Sequence, residues 1–233
     1  MNKTHLAAER RGMTLLAILL TLMVLPGCKN TTPDIEPGKS MTLMADNQFG
    51  VRGFHVDLRI QVMTMEALRA LADELAGFGI NTLVMEWEAS FPYLNNATIS
   101  NDLAYTREEI ASFIDYCGER GIDVIPLQQC FGHVEYILRH DRYSDLKEDR
   151  KDISQLCPLR EEEDSLLFAD LFADLAAMHK SDYIHIGGDE TYLLGHCPAC
   201  SLKAATEGKS KLFVDYMKMM CDIIIGLGKK PVM

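Results

Sequence analysis

Basic charge and long apolar runs are both scarce in this sequence. Lys and Arg number 23 against 34 Asp and Glu, which gives a formal net charge of -11. A phosphate-binding surface needs a basic patch, and none is present, so we expect no nucleic-acid partner. The apolar run from Met13 to Leu25 is shorter than the roughly 20 residues that span a bilayer. With 48% hydrophobic residues, the composition is that of a globular protein with one sizeable core.

Paired cysteines are scarce as well. Six cysteines follow Cys28, but only Cys197-Pro-Ala-Cys200 has the spacing of metal ligands. A structural zinc site requires further ligands, which the other, scattered cysteines do not obviously supply. We therefore expect no metal and no cofactor, and the cysteines are left as either a local disulfide or free thiols.

The N-terminus has the form of an export signal. Three basic residues precede the apolar run, which ends in Leu25-Pro-Gly-Cys28, similar to the lipobox of bacterial lipoproteins. This predicts a signal peptide over 1–27, lipidation of Cys28 and a polar tether over 28–49. The alternative is a plain signal peptide with an incidental cysteine. Either interpretation predicts export to the bacterial cell envelope, and the first adds a membrane partner through the lipid anchor.

After the tether, strand-like and helix-like segments alternate up to residue 233. Apolar segments predict strands at 53–58, 80–87, 122–127 and 182–186, with a fifth beginning at 230. Caps and periodicity predict helices at 64–78, 106–120, 161–180 and 210–227. A long segment over 128–160 separates the third strand from the third helix. This order predicts an α/β fold with a parallel sheet and right-handed crossovers.

The chain is short for the closed form of such a fold. A (β/α)8 TIM barrel has eight strand-helix units and typically about 250 residues. Only about four units and the start of strand five fit into 50–233. We therefore expect the N-terminal half of a TIM-type barrel.

The most informative motif is Gly187-Gly188-Asp189-Glu190, which follows the predicted fourth strand. Neighbouring side chains on a strand point to opposite faces, so the two carboxylates can share a pocket only where the backbone leaves the pleat. The two glycines permit that departure. Barrel enzymes keep their chemistry at this end of the strands, and a crowded acid pair can serve as one proton donor and one anion. The alternative is a solvated turn or helix start.

Strand alternation nominates further pocket residues. In the first strand it directs His55 and Asp57 to the inside, while Phe54, Val56 and Leu58 face the helices.

Three further strands contribute acids and histidines at the same rim. Glu86 and Glu88 share one face at the end of the second strand, His133 follows the third, and His185 lies in the fourth. With the single Trp87, this set is typical of a sugar pocket.

Each nomination has an alternative. The strand histidines could be satisfied core residues, the glutamates rim salt-bridge partners, and Trp87 an outward-packing core residue. A metal-dependent hydrolase built on His55, Asp57, His133 and His185 is a further interpretation.

Four segments together resemble a known family. They are Arg52-Gly-Phe-His-Val-Asp57, Met85-Glu-Trp-Glu-Ala-Ser-Phe-Pro-Tyr93, Ile125-Pro-Leu-Gln-Gln-Cys-Phe-Gly-His133 and His185-Ile-Gly-Gly-Asp-Glu190. The last matches the His-x-Gly-Gly-Asp-Glu motif of glycoside hydrolase family 20, and the others are most similar to its hexosaminidase D branch.

The resemblance implies an exo-β-N-acetylhexosaminidase acting on a glycan that contains N-acetylhexosamine. Glu190 would be the general acid, and Asp189 would orient the acetamido group of the substrate. The implied mechanism retains configuration, because the sugar's own acetamido oxygen attacks C1. Asp57, Glu88, His133 and His185 remain the candidate substrate-binding residues. The alternative is a non-catalytic, truncated lipoprotein that binds sugar or serves a structural role.

Overall fold

A computed structural model describes residues 49–233 of the chain. The predicted signal peptide, Cys28 and the tether up to residue 48 lie outside the described residues. The division of the chain at residues 27 and 49 therefore stays a prediction. No helix within 49–233 combines the length and apolar character needed to cross a membrane.

The core of the fold is a single sheet of five parallel strands. The strands are β1 (Gly53–Asp57), β2 (Thr82–Glu86), β3 (Asp123–Leu127), β4 (Tyr183–His185) and β5 (Lys230–Val232). They pair in sequence order, β1-β2-β3-β4-β5, and every pairing is parallel. All carboxyl ends therefore lie at one rim of the sheet. The predicted α/β architecture, with four strand-helix units and the start of strand five, is confirmed.

Six helices connect the strands. They are α1 (Met65–Gly77), α2 (Arg107–Gly118), α3 (Glu135–Leu138), α4 (Glu161–Met178), α5 (Pro198–Glu207) and α6 (Lys209–Gly226). Local chemistry explains their starts: Thr64 caps α1, and Thr106 with Glu109 forms a complete capping box on α2. Helix α5 was not predicted, although Cys197 at its N-cap and Pro198 in its first turn are ordinary start signals.

Trp87 lies on the helix side of the sheet and is fully buried. It packs edge-on against Tyr105 and Phe113, and its indole N–H donates to Nε2 of His179 at 3.0 Å. Burial lowers the pKa of His179 to about 4, so the imidazole is neutral and can accept this bond. The outward-packing interpretation of Trp87 is confirmed, and the residue is not part of a sugar pocket.

Strand β1 follows the predicted alternation except at Phe54. Val56 and Leu58 are buried, whereas Phe54 keeps 43% of its surface exposed. The expectation that all three pack against helices is wrong for Phe54. The residue lies on a strand that is hydrogen-bonded on one side only within the described part of the chain, so its neighbours are fewer.

Two antiparallel pairings lie within the segment between β3 and α4. Gly132 bridges Gln155 and Lys147 bridges Leu156, both antiparallel, so the segment folds back on itself. The buried Tyr216 of α6 donates its hydroxyl to the carbonyl of Cys130 at 3.0 Å. These contacts hold the stretch around Gly132 and His133 above the end of β3.

Candidate active site

The predicted catalytic and substrate-binding residues all lie at or just after the carboxyl ends of the strands. Asp57 ends β1, Glu88 follows β2, His133 follows β3, and His185 ends β4, just before Asp189 and Glu190. Parallel pairing brings these four strand ends to one rim, where barrel folds carry their chemistry.

Asp189 and Glu190 face the same neighbour. Nε2 of His133 lies 3.4 Å from an Asp189 carboxylate oxygen and 3.1 Å from a Glu190 carboxylate oxygen. Both acids therefore turn to the same side of the backbone, which a regular strand would not allow. The structure thus brings the two predicted acids together at the imidazole of a third predicted residue, His133.

Close contact between two loops fixes this arrangement. A Cβ atom on Gly132 would collide with the backbone carbonyl of Asp189, and one on Gly187 would collide with the Gln129 side chain. Gly187 also has φ +63°, in the left-handed region that favours glycine. The glycines are therefore required by backbone approach as well as by conformation.

Backbone strain within the described residues is concentrated at this rim. Three residues other than glycine have positive φ there: Glu88 (45°), His133 (54°) and Glu190 (52°). Each follows a different strand, β2, β3 or β4, and each is a predicted site residue. Such conformations are costly for L-residues and persist where the surrounding structure enforces them, as it does at functional sites.

Arg59 lies just beyond β1 and organises the other half of the rim. Its guanidinium donates to Asp57 Oδ2 at 2.8 and 2.7 Å, and its Nε lies 3.7 Å from Glu86 and 4.0 Å from Glu88. Burial would raise the pKa of Asp57, but the hydrogen bonds from Arg59 outweigh it and lower that pKa. An ionised Asp57 therefore anchors an arginine that lines the cleft.

Glu86 and Glu88 differ in their surroundings. Glu86 accepts one hydrogen bond from the Gln129 side chain at 2.9 Å, and its Oε2 is hydrogen-bonded to Nε2 of His55 at 3.0 Å. Glu88 Oε1 is buried without a hydrogen-bond partner. Burial and the neighbouring Glu86 carboxylate raise the pKa of Glu88 to about 9, despite the opposing charge of Arg59. Glu88 is therefore a neutral acid at pH 7 and can donate a hydrogen bond.

The two strand histidines are also differentiated. The hydrogen bond with Glu86 raises the pKa of His55, whereas burial lowers the pKa of His185. The backbone N–H of Gly187 donates to Nδ1 of His185 at 3.1 Å, which leaves its Nε2 to carry the proton.

An open cleft of about 440 Å³ lies at this rim, and its lining includes His55, Arg59, Gln129, His185 and Asp189. The volume is in the range of small-ligand sites. Side chains of Asp189 and Glu190 are 59% and 52% exposed, so both can reach a bound molecule. Arg59 and Gln129 were not among the predicted site residues. No local sequence signal marked Gln129.

The described residues do not support a metal centre at this rim. His55, Asp57, His133 and His185 do not form a compact ligand group within 49–233. Elsewhere, the structure brings two further side chains to Cys197 and Cys200. Cys157 and Glu148 converge on that pair, because the segment between β3 and α4 folds back against the start of α5.

Comparison with known families decides the relationship. The family model described as glycosyl hydrolase family 20, catalytic domain, matches residues 49–233. The chain belongs to glycosyl hydrolase family 20. Its similarity thus extends over the whole described region, including all four strand ends of the site.

Family 20 relatives support this assignment. Hexosaminidase D of Homo sapiens is 30% identical over 173 residues, which cover 73% of this chain and 36% of that protein. The structure of Flavobacterium johnsoniae chitobiase superposes with a TM-score of 0.68 at 20% identity, over 79% of this chain and 31% of that one. An exo-β-N-acetylglucosaminidase of Vibrio harveyi, solved with N-acetylglucosamine, gives a TM-score of 0.63 at 20% identity, over 79% and 35%.

These solved structures establish the shared fold, and the predicted TIM-barrel type is confirmed. The chain spans between about a third and a half of the length of the hexosaminidase D proteins that it matches.

Proposed function

We propose that residues 49–233 form the N-terminal part of the catalytic domain of an exo-β-N-acetylhexosaminidase. The observation that carries the proposal is the joint contact of Asp189 and Glu190 with His133, at the rim where Arg59 and the neutral Glu88 also lie. Family membership and the hexosaminidase relatives support a glycosidase, and a glycan containing N-acetylhexosamine is the proposed substrate.

The chemistry requires one proton donor and one anion. As the acetamido oxygen of the sugar bonds to C1, the bond from C1 to the aglycone oxygen breaks, and Glu190 transfers its proton to that oxygen. Asp189 accepts a hydrogen bond from the acetamido N–H and stabilises the positive charge of the cyclic intermediate. Water then attacks C1 and gives a proton to Glu190, while the bond from C1 to the acetamido oxygen breaks and the acetamido group is restored. Two displacements at C1 retain the configuration.

The remaining residues bind the sugar and position the two acids. His133 contacts both acids and would hold them side by side. Arg59, fixed by Asp57, directs its guanidinium into the cleft, where its N–H groups can hold sugar hydroxyls. Glu88, as a neutral acid, can donate a hydrogen bond at the same rim, and His185 lines the cleft together with Asp189.

Hydrolysis of a chromogenic N-acetylglucosaminide by the full-length protein tests the roles. Glu190→Gln removes the proton donor and should lower kcat/KM by about 10²- to 10⁴-fold. Asp189→Asn removes the anion and should lower kcat by about 10²- to 10³-fold. Asp222→Asn, an exposed carboxylate on α6, is the matched control and should leave the rate unchanged.

Two substrates separate the mechanism from general damage to the fold. A more acidic phenol as leaving group needs less proton transfer, so the Glu190→Gln defect should shrink with it. A β-glucoside without the acetamido group should not be hydrolysed, because its nucleophile is missing. Equal rates of hydrolysis for wild type and Glu190→Gln would reject the assigned acid. No hydrolysis by the wild-type protein would favour the non-catalytic, sugar-binding or structural alternative.

We further propose that the protein is exported to the bacterial cell envelope and held at the membrane by a lipid on Cys28. The support is the segment Leu25-Pro-Gly-Cys28 after a short apolar run. Growth with a clickable fatty acid should label the wild-type protein but not Cys28→Ala. An unlabelled wild-type protein would reject the anchor.

A further inference from the structure

Four potential metal ligands converge away from the acid pair. The Sγ atoms of Cys157, Cys197 and Cys200 and a carboxylate oxygen of Glu148 all lie within 4.8 Å of one another. Three of the four residues are buried. Nothing in the glycosidase chemistry proposed above uses this cluster.

The sulfur distances match a tetrahedral metal site. Cys157 Sγ lies 3.8 Å from Cys197 Sγ and 3.6 Å from Cys200 Sγ. A zinc ion with Zn–S bonds of about 2.3 Å separates two thiolate ligands by about 3.8 Å at the tetrahedral angle. A disulfide would require about 2.05 Å, and none of the six described cysteines is in a disulfide.

Glu148 provides the fourth position. The residue is only 3% exposed, and its Oε2 has no hydrogen-bond partner, although a buried carboxylate oxygen normally has one. Its other oxygen, Oε1, accepts the backbone N–H groups of His196 and Cys197 at 2.7 and 2.9 Å. One oxygen is thus fixed by the protein while the other remains available to a cation, as is usual for an oriented carboxylate ligand.

The surroundings suit the charge and the entry of an ion. Three thiolates and a carboxylate around Zn²⁺ carry a net charge of -2. The backbone N–H of Cys200 donates to Cys197 Sγ at 3.3 Å, and the N-terminus of α5 lies at the cluster. A cleft of about 540 Å³ reaches Glu148, Cys157 and Cys197, and its lining includes Arg150 and Arg160. These cations offset the negative charge, and the cleft is a path for the ion.

We propose that Cys157, Cys197, Cys200 and Glu148 bind a structural zinc ion. All four positions are taken by protein side chains, so no coordination site is open for a substrate, which is typical of a structural site. Binding transfers the thiol protons to solvent and involves no redox step. The ion would cross-link the segment that carries His133 to the loop that follows Glu190, and so stabilise the packing of the two catalytic loops.

The metal content of full-length protein, purified without chelator, tests the proposal. We expect about one zinc ion per chain, bound at this cluster. Cys200→Ser should lose it, and Glu148→Gln should weaken zinc affinity by at least about 10-fold. Cys221→Ser, a partly exposed cysteine of α6 outside the cluster, is the matched control and should retain the full zinc content.

A second test begins with the wild-type protein, whose response to metal removal does not depend on whether the variants fold. Removal of metal from the wild-type protein by a strong chelator should lower its melting temperature, and stoichiometric Zn²⁺ should restore it. Co²⁺ in its place should give the intense visible bands of a tetrahedral thiolate complex, and these should be absent from Cys200→Ser but present in Cys221→Ser.

Two results would overturn the proposal. One is a disulfide between any two of the three cysteines, detected by peptide mass spectrometry of the unreduced native protein. The other is equal zinc content in wild type, Glu148→Gln and Cys200→Ser, which would place any bound metal elsewhere.

Discussion

Glu88 illustrates how the environment of one residue sets its chemistry. The residue has φ 45°, lies immediately after β2 and is buried beside Glu86. Water is excluded and a second carboxylate is close, so the ionised form is disfavoured. Arg59 at 4.0 Å is too far to compensate with a direct hydrogen bond. The result is a neutral acid next to an arginine that is itself held by Asp57.

This neutral acid predicts a pH dependence of stability. The pKa of Glu88 is about 9 in the folded protein and about 4.5 when unfolded, so the folded state binds one more proton between these values. The contribution of Glu88 to the free energy of unfolding should therefore fall as pH rises from about 5 to about 9. Glu88→Gln cannot ionise, and its melting temperature should fall less over that range.

The matched control is Glu207→Gln, an exposed glutamate at the end of α5. Its melting temperature should follow the wild-type pH profile. Identical profiles for wild type and Glu88→Gln in thermal denaturation would show that Glu88 is ionised in the folded protein.

Contact between the loops that follow β3 and β4 fixes the geometry of the acid pair. The segment after β3 and the loop after β4 touch backbone to backbone at Gly132 and Asp189, with no room for a side chain between them. His133 and Glu190, the next residue of each loop, both have positive φ. The two loops therefore constrain each other, and neither could adopt this conformation independently of the other.

Gly132→Ala should displace the loop that carries Asp189 and Glu190. The added Cβ would collide with the Asp189 carbonyl, so one loop must move, and a shift of about 1 Å at reacting groups can cost about 10²-fold in rate. Gly118→Ala is the control, because nothing lies within 4 Å of a Cβ at the end of α2. It should keep wild-type kcat and gain up to about 1 kcal/mol of stability. Wild-type kcat in Gly132→Ala would contradict the contact.

The sheet of the described region is open at both edges. Within residues 49–233, β1 and β5 are each hydrogen-bonded to a neighbouring strand on one side only. Unpaired strand edges with apolar residues nearby are templates for association with other chains. Phe54 on β1 and Met233 beyond β5 are both exposed in this region.

A fragment of residues 49–233 expressed alone should therefore self-associate. Light scattering after size-exclusion chromatography should give a mass greater than that of the monomeric fragment. This mass should rise with protein concentration, because the strand edges pair between chains. Phe54→Lys, which places a charge on the exposed edge strand β1, is the matched variant and should weaken the dependence on concentration. A fragment that stays monomeric at all concentrations would show that the two edges are protected.

The sequence by itself determined most of the strands and helices and the acidic motif. Alternation of strands and helices, the capping box at Thr106 and the glycines before Asp189 are local patterns, and local patterns can be read from neighbouring residues. They were sufficient to place His55, Asp57, His133 and His185 at one rim. The start signals of α5 were also present, although the helix was missed.

Only the tertiary structure decided which of these groups meet and how they are charged. The contact of His133 with both acids, the burial that keeps Glu88 neutral, and the approach of Cys157 and Glu148 to Cys197 join residues far apart in the chain. Sequence spacing carries no record of such distances, because they result from the packing of whole loops against each other. Burial likewise sets a pKa through solvent that the folded protein excludes.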